Sequence, residues 1–258
     1  MSNFPNISRT WMRQAMQGAL EVVFPRWCVG CGDLVEAGPW QHLCGDCLEE
    51  IEFVKAPHCA TCGWPFHGEV EGERKCPHCA ELEPEFGAGR TGFLMRGVAR
   101  VFLHELKYRQ GLHLREDLAR LAQRAEVFRD FFDGAVLVPV PLHAKKLRHR
   151  GFNQARLVAE AMATMNGRWK MEDGKTPVVA DLLERVRDTQ TQTRLDREER
   201  EKNMRGAFAV REGMKVSKTA RYVVVDDVFT TGATLNACAA ALLKAGATNV
   251  DVATMGHG

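Results

Sequence analysis

The sequence shows no secretory signal. Residues 1–5 lack the basic segment followed by an apolar run that such a signal needs. The most apolar early stretch, residues 19–24, is too short to span a bilayer and contains Glu21. Neither sign of charge dominates. A formal net charge of +2 gives no general attraction to nucleic acid, so any such case must rest on local clusters. Cysteine is missing from the whole chain after Cys79, apart from Cys238. Together these absences lead us to expect a cytoplasmic protein with no membrane span.

What is present supports a folded chain. Apolar residues make up 45% of 258 positions, enough to bury a sizeable core, and charged residues at 26% are ordinary for a soluble protein. Eight of nine cysteines fall before residue 80, all as C-x-x-C pairs. Reducing conditions in the cytosol disfavour structural disulfides, so the pairs point to metal.

Residues 26–84 form the cysteine module. It has little apolar periodicity and needs a staple to fold. Cys28, Cys31, Cys44 and Cys47 make one candidate zinc site, and Cys59, Cys62, Cys76 and Cys79 the other. Zinc takes four soft ligands in a tetrahedron, which two C-x-x-C turns supply from facing loops. The segment Cys28-Val-Gly-Cys31-Gly matches Cys59-Ala-Thr-Cys62-Gly, a weak internal repeat. Sequential pairing keeps each loop short. An interleaved arrangement, joining Cys28 and Cys31 to Cys59 and Cys62, stays open. His42, His58, His67 and His78 read as bystanders beside eight sulfurs. All-cysteine sites are closed, so the module braces or binds but does not catalyse. Cys238 reads as a small buried residue.

Elsewhere, periodicity predicts an amphipathic helix over residues 8–25, docked on its own protein. Residues 88–258 read as a single α/β unit. Strands are expected at 90–95, 135–140, 222–225 and 250–255. Helices are expected at 98–108, 112–128, 154–165 and 234–245, the last ended by Gly246. Residues 178–183 are ambiguous, and 207–210 is a short apolar run. Strands alternating with helices imply a parallel sheet covered on both faces.

The most informative stretch is 222–235, YVVVDDVFTTGATL. An apolar strand delivers Asp226 and Asp227 to its C-terminal edge, where open α/β sheets bind ligands. The turn of Thr230, Thr231, Gly232, Ala233 and Thr234 then opens into a helix, offering amides, hydroxyls and a favourable dipole to an anion. Two carboxylates beside a phosphate make sense as acceptors for sugar hydroxyls, with a metal offsetting charge. A second segment, 141–156, carries Lys145, Lys146, Arg148, Arg150 and Arg156 with no acid. It reads as a basic loop for pyrophosphate or a nucleic-acid backbone. In a third, Arg185, Arg187, Thr189 and Gln192 precede a salt-bridged stretch holding Arg197, Arg200 and Asn203.

The 222–235 stretch resembles the signature of type I phosphoribosyltransferases. By that resemblance Asp226 and Asp227 hold the ribose hydroxyls of phosphoribosyl pyrophosphate (PRPP), and residues 230–234 hold its 5′-phosphate. Further motifs run in order along nearly the whole chain. They are the C-x-x-C pairs, His104-Glu-Leu-Lys107-Tyr108, Pro139-Val-Pro141-Leu, Arg150-Gly-Phe-Asn-Gln154, Arg187-x-Thr189-x-x-Gln192 and Arg200-x-x-Asn203 with Gly206-x-Phe208. Together they resemble the ComF family of competence-associated, phosphoribosyltransferase-like proteins, in the branch with an N-terminal double zinc ribbon. The resemblance implies a type I phosphoribosyltransferase-like parallel sheet, two structural zinc ions, magnesium with PRPP, and a link to single-stranded DNA in natural transformation. Glutamine amidophosphoribosyltransferases share a similar transferase half, but Met1-Ser2 offers no counterpart to their N-terminal cysteine nucleophile.

Three readings follow. One is a transferase that expels pyrophosphate from PRPP, with Lys145 to Arg150 steadying the leaving group. Another is a single-stranded DNA-binding module for uptake and recombination, using the basic segment and the ribbon aromatics Trp27, Trp40, Trp64 and Phe66. The third is a PRPP-sensing regulator without chemistry.

Overall fold

A computed structural model of the chain describes residues 25–68, 74–79, 82–108, 111–164, 176–187, 204 and 206–258. The expected helix at 8–25 lies outside these residues, except for Pro25. So do Thr189, Gln192, Arg197, Arg200, Asn203 and the side chain of His78.

Five parallel strands form one sheet in the order β1 (Gly89–Leu94), β7 (Asn249–His257), β6 (Arg221–Phe229), β2 (Val136–Pro139) and β3 (Val178–Val179). The short antiparallel pair β4 (Leu183–Arg185) and β5 (Phe208–Val210) stands apart. Alternation along β6 explains its central place. Val223 and Val225 enter one core, Tyr222 and Val224 the other, and all four are buried. On the first face lie α2 (Gly97–Tyr108), α3 (Arg115–Arg124) and α5 (Gln154–Ala163). On the second lies α6 (Ala233–Lys244) with the β4–β5 pair.

The expected α/β architecture is present, with several differences in detail. The helix expected at 112–128 is broken. Residues Gly111–Leu114 and Glu126–Phe128 are 3₁₀ turns around α3, and Ala125 leaves the helix with φ −75° and ψ 95°. The break tucks Phe128 beneath β1, where a side chain at Gly92 would meet its ring at 3.1 Å.

The basic segment is a helix, not a loop: α4 spans Ala144–Arg150. His143 caps its start by accepting from the Lys145 amide at 3.4 Å, and Gly151 ends it at φ +84°. Lys, Leu and Arg between them are good helix formers. The strand expected at 222–225 also runs on to Phe229, because β7 keeps pairing with it as far as His257.

The cysteine module shares both cores with the sheet. Cys28, Cys47, Leu48 and Ile51 pack with the α2–α3 face, and the second quartet packs with the α6 face. Between them residues 52–54 add to the edge of β1. Val54 N–H donates to Gly92 at 2.9 Å, and Leu94 N–H donates to Glu52 at 3.0 Å. Asp117, fully buried, accepts the amides of Gln41 and His42 at 2.9 and 2.6 Å. No helix among the described residues is long and apolar enough to cross a membrane.

Candidate functional site

The zinc quartets are built from one local device used twice. The turn at Cys28–Cys31 closes with Gly32 N–H donating to Cys28 at 2.9 Å, and Cys28 N–H reaches Asp33 at 2.7 Å. At Cys59–Cys62 the matching bonds are Gly63 to Cys59 at 2.8 Å and Cys59 to Trp64 at 2.8 Å. Gly32 and Gly63 share φ near +80°, at +81° and +78°, a conformation glycine adopts freely. Each second pair opens a short helical turn: α1 (Gly45–Glu49) after Cys44, and the 3₁₀ turn Pro77–Cys79 after Cys76. The faint sequence repeat is thus a repeat of geometry.

Pairing is sequential. Cys28, Cys31, Cys44 and Cys47 converge, as do Cys59, Cys62, Cys76 and Cys79, with all ligand atoms of each group within 4.8 Å of one another. A tetrahedron with Zn–S bonds of about 2.3 Å puts its sulfurs about 3.8 Å apart. Cys31 and Cys44 are 3.7 Å apart, and Cys62 and Cys76 are 3.4 Å apart. The donor set and its spacing fit zinc. Cys44 N–H donates to the Cys28 sulfur at 3.4 Å, and Cys76 N–H to the Cys59 sulfur at 3.3 Å. Burial raises the Cys28 thiol, but hydrogen bonds from amides overcome it and bring it to about 7. Hydrogen bonds from the Cys62 and Cys79 thiols hold Cys59 far below the ordinary thiol range. The other side of the same interactions is that Cys47, by burial, and Cys62, by its hydrogen bond with Cys59, are pushed up, so without metal each quartet favours one thiolate among thiols. Among the described residues no histidine joins either group. The second quartet is wholly buried, while Cys31 of the first is exposed.

Asp226 and Asp227 sit where β2 ends and β6 continues. Val140 N–H makes the last link from β2, to Val225 at 2.9 Å. As neighbours on one strand, the two carboxyls stay close enough to interact with each other through charge and a side-chain hydrogen bond. Asp227 is buried and meets Lys107 of α2, Nζ to Oδ2 2.8 Å. Asp226 is partly buried, and its Oδ1 accepts the Asp227 amide at 2.9 Å. Desolvation, then the neighbouring Asp227 charge, push the Asp226 carboxyl well above the usual carboxylate range. Lys107 lies in a motif noted in the sequence, yet nothing in the sequence showed that α2 would carry it to Asp227.

The turn after β6 is built around its glycine. Gly232 caps α6 at φ +77°, and a Cβ there would meet the Phe229 ring at 2.7 Å and Leu82 at 3.2 Å. Thr231 Oγ1 accepts the Ala233 amide at 3.4 Å. Thr230 is exposed, and Thr231 and Thr234 are partly so. The remaining first-turn amides of a helix lack intrahelical acceptors.

The basic helix α4 follows β2 and so sits at the same edge of the sheet. Lys145 and Arg148 are exposed, and Lys146 and Arg150 partly buried. Arg150 donates to Gln154, and Asn153 ties the start of α5 to the Val140 carbonyl at 2.9 Å. Of the ribbon aromatics only Trp27 stands well exposed, at 55%; Trp40, Trp64 and Phe66 pack against the cores. Cys238 is buried, as expected. Two cavities, of about 610 and 590 Å³, lie beside α6 and between the two zinc quartets, and neither is lined by Asp226 or Asp227.

The raised Asp226 carboxyl has a stability consequence. Its folded form holds a proton that the unfolded form has lost, so its contribution is present at acid pH and fades as pH rises above the ordinary carboxylate value. Asp226→Asn should therefore raise the melting temperature by a few degrees at neutral pH and leave it little changed near pH 4. Thermal melts across pH check this.

Comparison with known proteins agrees with the geometry. Residues 19–80 match the double zinc ribbon domain. Competence protein F of Haemophilus influenzae is 25% identical over 240 residues, covering 92% of each chain. The DNA utilization protein YhgH of Salmonella typhimurium is 28% identical over 218 residues, covering 81% of this chain and 88% of that one. Competence protein ComFC of Streptococcus pneumoniae is 26% identical over 212 residues, covering 81% and 84%. With its paired cysteine quartets ahead of a parallel sheet, the chain is thus similar over most of its length to these competence and DNA utilization proteins, and its N-terminal part matches the double zinc ribbon.

Proposed function

We propose that this protein serves DNA uptake and competence, and that its α/β unit binds PRPP over the C-terminal ends of β2 and β6. The names of its relatives, competence proteins and DNA utilization proteins, support the first part. One observation carries the second: two carboxylates at the point where β2 ends, followed three residues later by a threonine turn that caps a helix through a left-handed glycine. Asp226 and the Oδ1 of Asp227 accept ribose hydroxyls. Lys107 holds Oδ2 of Asp227 and offsets its charge. The turn at 230–234 and the first amides of α6 hold the 5′-phosphate. Magnesium, when bound with PRPP, would offset pyrophosphate charge and act as a template.

The test is a thermal shift. PRPP with magnesium at about 100 times its dissociation constant should stabilise the chain by about 2.7 kcal/mol, roughly 5–10 °C. The Asp226→Asn/Asp227→Asn variant should show no shift. Equal shifts in both proteins would remove the site. Pyrophosphate release in the same samples separates a transferase from a PRPP-sensing regulator.

A second reading concerns α4, where four Lys or Arg residues and His149 stand within one short helix with no acid. Such a cluster favours the phosphate backbone of single-stranded DNA. Replacing Lys145, Lys146, Arg148 and Arg150 with alanine should weaken oligonucleotide binding and flatten its salt dependence by up to about three units of slope, at about 0.7 per phosphate contact. Unchanged binding excludes α4 as the contact.

A further inference from the structure

The two zinc quartets are alike in geometry but not in what they touch. The first faces α2 and α3. Gly30 sits against Cys47 and Val98, and the Gln41 and His42 amides end on Asp117. The second quartet reaches the turn at 230–234 by two separate routes.

One route leaves from Cys62. Trp64 N–H donates to the Cys62 sulfur at 3.4 Å, which fixes the indole two residues beyond the ligand. Its ring meets His257, at the end of β7, edge-on at 4.8 Å. His257 in turn stacks on Phe229, at the end of β6, at 5.0 Å and 23°. Phe229 is the ring that lies closest to Gly232. Aromatic pairs at these separations hold a defined geometry.

The other route leaves from Cys79. Leu82 N–H donates to the Cys79 carbonyl at 3.1 Å, and the buried Leu82 side chain also packs against Gly232, 3.2 Å from where its Cβ would stand. Asn236, in the first turn of α6, then grips the same linker. Its Oδ1 accepts the Glu85 amide at 2.6 Å, and its Nδ2 donates to the Glu83 carbonyl at 3.2 Å.

We infer that the second zinc quartet braces the left-handed turn at Gly232, with Trp64 and Leu82 as the positioning residues that transmit its order, and that the first quartet has no such role. Phe229 and Leu82 together fill the place a Cβ of Gly232 would take. The left-handed backbone there is kept by this packing, and both packing partners are set by ligands of one metal. Loss of that metal frees both partners together. The consequence for ligand binding rests on the sugar-phosphate reading above, but the brace itself does not.

Hydrogen exchange without ligand tests the brace. Trp64→Ala, Leu82→Ala and the double variant keep all eight cysteines, so each should still carry two zinc ions by metal analysis. The double variant should exchange amides 230–236 at least about tenfold faster than the wild type, while the amides of β2 stay protected. Cys31→Ser, which strikes the first quartet at its exposed ligand, is the control. It should carry one zinc and leave exchange over 230–236 unchanged. The inference is overturned if the double variant holds two zinc ions and exchanges over 230–236 at the wild-type rate. It is equally overturned if Cys31→Ser loosens that turn as much as the double variant does. If the double variant does not fold, the single Leu82→Ala variant decides by the same readout. Absence of PRPP binding would leave these results untouched, so the two proposals fail separately.

Discussion

Cys62→Ser is expected to leave one zinc per chain and to lower the melting temperature by more than 10 °C. The second quartet is wholly buried, and its turn is pressed into the sheet. A side chain at Gly63 would meet the Thr91 amide at 2.6 Å, and one at Gly89 would meet the Thr61 carbonyl at 2.1 Å. Thr91 Oγ1 donates to the Cys62 carbonyl at 2.8 Å. Structural zinc supplies on the order of 10 kcal/mol in small modules, so losing one ligand from a closed site costs about 4 kcal/mol or more. For a chain of this size each kcal/mol shifts the melting temperature by roughly 2–4 °C.

Cys31→Ser is the comparison that gives this meaning. Cys31 is exposed, and its site lies at the rim of the α2–α3 core. Its loss should cost less than half as much. Zinc content by atomic absorption and melting temperature by calorimetry check both variants. Equal losses at Cys31 and Cys62 would mean that the two quartets support the fold alike, against their difference in burial.

Much of this architecture could be read in the sequence because it rests on local signals. The C-x-x-C pairs carry their ligand type and spacing with them, and glycine after the second cysteine marks the left-handed turn. The valines of β6 are apolar on both faces, the mark of a central parallel strand. What escaped reading was set by partners distant in the chain. Pairing with β7 decides that β6 runs past Val225, so Asp226 and Asp227 lie within the strand and not beyond its end. Lys107 lies 120 residues before its carboxylate partner, on a helix whose rotation depends on the whole first core. Trp64 looked free to stack on a base, but its ring is spent on His257. The basic segment was misread as a loop because its capping residues, His143 and Gly151, are weak signals beside four charges.

Lys107→Met is expected to destabilise the chain by about 2 kcal/mol at neutral pH. Lys107 is the ammonium partner of a carboxylate that is almost fully buried, with side-chain exposures of 28% and 7%. Removing one member of a fully buried pair costs roughly 3–5 kcal/mol, because the other is left charged without a counter-ion. Partial exposure of the lysine reduces that figure. If the cost comes from the stranded carboxylate, adding Asp227→Asn to Lys107→Met should return most of the loss. Urea midpoints of the two single variants and the double close the cycle. A double variant no more stable than Lys107→Met alone would show that Lys107 acts by packing, not by charge. The pair also bears on the ligand. With Lys107 in place the site presents fewer uncompensated negative charges to a pyrophosphate. Without it, Asp227 is left uncompensated, and under the proposed PRPP reading the variant should need more magnesium than the wild type to reach the same occupancy.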